Sequence, residues 1–153
     1  VLMASIYDDT QHKIQLWQLK APLANLAAGC WELWLSENTP WRRAYAAYGD
    51  GQWVVGLGAS IVYRSENQWK RVEITRSGAP VQALYWSGTA AVWLASAGDD
   101  WLSSTDLEHW QKLDVVQPSS NAMQYKPVAV WPEGRGRLVG LSGDGRLFRL
   151  KLN

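Results

Sequence analysis

The carboxylates Asp8, Asp9, Asp50, Asp99, Asp100, Glu133 and Asp144 are the residues best able to do chemistry in this chain. A facing pair could supply the acid and the nucleophile or base that break a glycosidic bond. That asks for a separation of about 5 Å for retention or about 6.5–9.5 Å for inversion. Each of these acids falls in a predicted turn, beside glycine or another small or polar residue, where a carboxylate ordinarily folds back on nearby amides. Turn chemistry is therefore the reading adopted. Gripping an anionic substrate would need clustered arginines, yet Arg42, Arg43, Arg64, Arg71, Arg76 and the Arg135, Arg137, Arg146 and Arg149 group are spread over different strand types. His12 and His109 lack a metal-ligand partner at useful spacing, and Cys30 stands alone, which excludes a cysteine zinc site and an internal disulfide. No phosphate loop, dinucleotide fingerprint or nucleophile elbow occurs. No catalytic residue, metal ligand or cofactor is assigned.

Composition narrows the partners. Lys and Arg number 15 against 14 Asp and Glu, and no basic run exceeds two residues, so attraction to nucleic acid has no electrostatic basis. The longest apolar runs fall short of the roughly 20 residues of a membrane helix. Apolar residues make up 47% of the 153, as in a globular domain. Among the aromatic residues, 11 tryptophans stand against one phenylalanine.

The tryptophans mark a repeat. Trp69 to Ile74 and Trp110 to Val115 share the order tryptophan, polar, base, aliphatic, acid, aliphatic, about forty residues apart, with a weaker copy at Trp41 to Ala46. Such alternation predicts an outer strand with one apolar face. Upstream of each copy lies a short polar segment, at Ser36 to Asn38, Ser65 to Asn67 and Ser104 to Asp106, predicted to close a hairpin through its Asx side chain. Small-residue strands ending in an aromatic ring recur at Tyr7, Tyr48, Trp86 and Trp131. Each unit then reads as four antiparallel strands, inner to outer, which is a propeller blade. The expected fold is an all-β propeller domain over 1–153, or part of one, with blades at 1–46, 46–77, 78–118 and 124–153. The last blade is expected to lack its outer strand, leaving Arg146 to Leu150 as an open edge for another chain. Most tryptophans are assigned to packing between blades.

Ser104-Thr105-Asp106-Leu107-Glu108-His109-Trp110 resembles the Asp-box of sialidase-like (BNR) propellers, in which Ser or Thr and Asp precede a Trp. The resemblance is degenerate in the first two units and absent from the fourth. It implies that Ser36, Asn38, Trp41, Ser65, Asn67, Trp69, Ser104, Asp106 and Trp110 are structural hairpin residues, remote from any active site.

The function expected on these grounds is a non-catalytic protein-interaction or assembly scaffold. A lectin-like glycan-binding module is the alternative, and a degenerate glycoside hydrolase a third reading. Contacts are expected from connections between second and third strands, at Pro22, Leu23 and Asn25 in an insertion over 21–29, at Asp99 and Asp100, and at Asp144. The expected partner is a protein or a second copy completing the ring, with a glycan as the other option.

Overall fold

The computed structural model describes residues 3–20, 30–98, 100–116, 127–134, 137–142 and 147–151. Their strands form four antiparallel sheets. The chain divides into two compact units, Val1–Ala44 and Tyr45–Asn153.

The first unit holds a three-stranded sheet of β1 (Met3–Asp8), β2 (Lys13–Leu19) and β3 (Trp31–Asn38), in that order. Alternation in β2 puts Ile14 and Leu16, each 1% exposed, on one face. Asp8 Oδ1 closes the β1–β2 turn by accepting from the amides of Thr10 (2.8 Å) and Gln11 (3.1 Å). Ser36 and Asn38 are not in a turn. They continue β3, paired with Gln15 and Lys13, because β2 is long enough to keep the ladder satisfied to its end. The segment Trp41–Arg43 is irregular, and Ala44 already opens the next sheet, so the expected outer strand at Trp41 to Ala46 does not exist.

The second unit begins with β4 (Ala44–Gly49), β5 (Gln52–Leu57), β6 (Ser60–Ser65) and β7 (Gln68–Glu73), in sequential order. Asp50 and Gly51 (φ 48° and 75°) and Glu66 and Asn67 (φ 50° and 66°) make its two tight outer turns. Positive φ at both central residues matches the strand twist, as in a type I′ hairpin. The Ser65–Asn67 hairpin is thus closed by left-handed backbone.

The third sheet orders β8 (Val81–Ser87), β9 (Val92–Ala97), β10 (Asp100–Ser104) and β11 (Gln111–Lys112). Every residue of β9 is buried. Trp93, Ala95 and Ala97 join a core with Val54, Ile61 and Tyr63 of the second sheet, while Val92 and Leu94, with Trp101 of β10 and the nearby Leu113, join Leu138 of the fourth. Successive sheets therefore pack face to face, and β9 is covered on both sides. Glycines set the spacing: a Cβ on Gly56 would lie 2.4 Å from Val81 Cγ1.

The fourth sheet contains β12 (Asp114–Val116), β13 (Pro127–Gly134), β14 (Arg137–Ser142) and β15 (Leu147–Lys151), in the order β12-β15-β14-β13. Its fourth strand precedes it in the chain. Asp114, Val115 and Val116 pair with Lys151, Leu150 and Arg149. The expected open edge is thereby corrected: β15 is covered from within. The predicted continuous strand from Trp110 to Val115 is split, with Gln111 and Lys112 on β10 and the next strand on β15. Leu113, 2% exposed, marks the crossing, and its amide donates to Trp101 O at 2.8 Å. No helix among the described residues is long and apolar enough to cross a membrane.

Candidate functional site

The hairpin from β10 to β11 is built from Ser104 and Asp106. Ser104 Oγ accepts from the amides of Asp106 (3.3 Å) and Leu107 (2.9 Å) and donates to Asp106 Oδ1 (3.1 Å). Asp106 Oδ1 accepts from the amides of Glu108 (2.9 Å) and His109 (2.8 Å), so one carboxylate oxygen gathers the whole turn. Leu107 takes φ 67° and is buried, which anchors the tip in the core. Trp110 Nε1 donates back to Leu107 O at 2.9 Å. Trp110 is half-buried, with part of its ring against the core shared with the second sheet.

His109 Nδ1 lies 2.8 Å from Asp106 Oδ2. Hydrogen bonds from the His109 amide and ring hold the Asp106 carboxyl well below the usual range, and Asp106 in turn raises the His109 imidazole. The depressed acid stabilises the fold above its unfolded value of about 4, and that contribution is lost as pH falls. The raised base stabilises the fold below its unfolded value of about 6.5, and that contribution is lost as pH rises through the folded value. The pair thus supports the hairpin most between about pH 4 and 6.5. The difference in melting temperature between wild type and His109→Gln is expected to peak in that window and to close in mildly alkaline buffer. A difference independent of pH would refute the pairing.

Glu108 turns the other way. Its Oε1 accepts from Lys70 Nζ at 2.6 Å and from Tyr63 Oη at 3.5 Å, which ties the third sheet's hairpin to β6 and β7. The Lys70 bond lowers the Glu108 carboxyl, and the same bond raises the Lys70 ammonium. Alongside opens a groove of about 550 Å³, lined by residues 73–76 from the end of β7 and 108–110 from the hairpin. Its floor includes Ile74 and Thr75, both buried, and its rim carries Glu73, Arg76, Glu108 and His109. Thr75 Oγ1 donates to Ala79 O at 3.1 Å, which fixes the loop that presents Arg76.

Of the anticipated binding residues, only Asp100 lies among the described residues, and it does not line this groove. Pro22, Leu23, Asn25, Asp99 and Asp144 lie outside the described residues. Asp100 opens β10 and is bridged by Lys112 Nζ at 2.5 Å. Of the hairpin residues, Ser104, Asp106 and Trp110 act together, while Ser65 closes a true turn in which Asn67 is a central residue. Ser36 and Asn38 belong to a strand, Trp41 is 39% exposed, and Trp69 is 44% exposed with the Arg64 guanidinium 6.0 Å from its ring centre. Trp41 and Trp69 are thus not buried rings. Glu73, Thr75, Arg76 and Glu108 were missed as a group, since they share no motif. The only signal was the loss of alternation after Glu73, where β7 ends. Among the described residues no group of acids, histidines and cysteine could hold a metal ion. No family model and no curated protein matches this sequence.

Proposed function

We propose that the chain is a run of Asp-box-type propeller blades and serves as a protein-interaction scaffold. The blade reading is supported by four-stranded antiparallel sheets whose cores are shared between successive sheets in the second unit. The hairpin at Ser104, Asp106 and Trp110, folded by the side chains the motif requires, supports it further.

One observation carries the partner. In the three-stranded sheet, register places Ala4, Trp17 and Leu33 side by side on one face, with Ile6 next to them on β1. Ile6 is 57% and Leu33 43% exposed. Large apolar side chains exposed on one sheet face are the kind of surface a protein partner covers. A partner sheet would pack there as the second, third and fourth sheets pack on one another. The readiest source of such a sheet is a second copy of the chain, now by its face and not by lending a strand to β15. Light scattering is expected to give a mass above the 17.2 kDa of one chain. The double variant Ile6→Arg, Leu33→Arg should return it to one chain with its strand content retained by circular dichroism, and with the concentration dependence of melting lost. A wild-type chain of 17.2 kDa throughout the micromolar range would overturn the reading.

A further inference from the structure

We propose that the groove between the end of β7 and the β10–β11 hairpin is a carbohydrate-binding site, with a pyranose ring laid on Trp110. The site is independent of the apolar face of the three-stranded sheet, and either can fail without the other.

The floor is ready before any ligand arrives. Trp110 is fixed by its own Nε1 bond to Leu107 O and by the core it packs against, and the residue also lines the groove. An indole held in this way offers a flat apolar surface at little further cost in rotamer entropy. The rim is equally set. Lys70 and Tyr63 hold Glu108, and Asp106 holds His109. Glu73 and Arg76 line the same groove, and neither has a side-chain ion pair among the described residues. A carboxylate accepts from hydroxyls and a guanidinium donates to them, so this pair can bracket vicinal hydroxyls in the plane of a ring stacked on Trp110.

Charge balance selects the class. Glu73 and Glu108 offset Arg76 and Lys70, and Asp106 offsets a protonated His109, so no net field favours an anion, and the acids oppose the phosphates of a nucleic acid. A neutral polyhydroxylated ring meets every group here without a penalty. The volume of about 550 Å³ falls in the range of small-ligand sites.

The test uses neutral tetrasaccharides of glucose, mannose, galactose and N-acetylglucosamine, followed by the indole N–H resonances of the chain and by calorimetry. At least one is expected to shift the Trp110 indole resonance and bind in the millimolar range or tighter. Glu73→Gln and Arg76→Ala should each weaken that binding by about tenfold, the worth of one good hydrogen bond to a charged group, with unchanged melting temperatures. Three outcomes would overturn the proposal: none of the four binding at millimolar concentration, binding unchanged in both variants, or the groove resonances answering an extended peptide and none of the sugars.

Discussion

Gly49→Ala is expected to destabilise the second unit by about 3 kcal/mol, the upper part of the range for an overpacked core. The added Cβ would lie 2.1 Å from Trp86 Cγ and 2.3 Å from Trp86 Cβ. These atoms are the root of the tryptophan, so no rotamer change removes the clash, and β8 itself must move away from β4. Gly88→Ala is the matched control, because its new Cβ would meet only Trp86 Nε1, at 3.6 Å. Urea unfolding of the two variants decides. If Gly49→Ala unfolds at the midpoint of Gly88→Ala, the two strands are not as close as described.

Trp93→Ala is expected to cost about 3–5 kcal/mol, as for a large aromatic removed from a core. Trp93 is 1% exposed and packs against Trp86 with ring centres 4.9 Å apart at 49°. It lies on the face of β9 directed to the second sheet, so its loss opens a cavity between two sheets, where collapse from one side cannot fill it. Trp69→Ala, at an exposed ring, is expected to change stability by less than about 1 kcal/mol. Equal losses at the two positions, read from denaturant midpoints, would contradict the division of tryptophans into core and surface.

That division was only partly legible. The repeat located β7 and the strands ending near Tyr48 and Trp86, because each unit places the same residue types at the same strand position. Alternation says which face a residue occupies and not which sheet accepts the backbone. For that reason Trp110 to Val115 read as one strand, although Leu113 divides it between two partners. Ser36, Glu37 and Asn38 resemble a hairpin tip in composition, and only the length of β2 reveals that they still have a ladder to join. The Ser104–Trp110 hairpin was readable because its bonds are local and made by the residues that name the motif. The groove beside it was not, because Arg76 and His109 are brought together by stacking of sheets, which leaves no trace in spacing.

The crossing at Leu113 also has a consequence for how the chain acquires its structure. A sheet made from consecutive strands can be completed as soon as its last strand is available. The fourth sheet cannot, because β12 has no ladder partner until β15 exists, some thirty-five residues later in the chain. During N-to-C synthesis Asp114–Val116 is therefore a strand in waiting, tethered directly to a third sheet whose own strands are already present. Once β15 arrives, the two sheets share one continuous segment of backbone. Neither can then fray at that edge without pulling on the other, so they open and close as one cooperative unit.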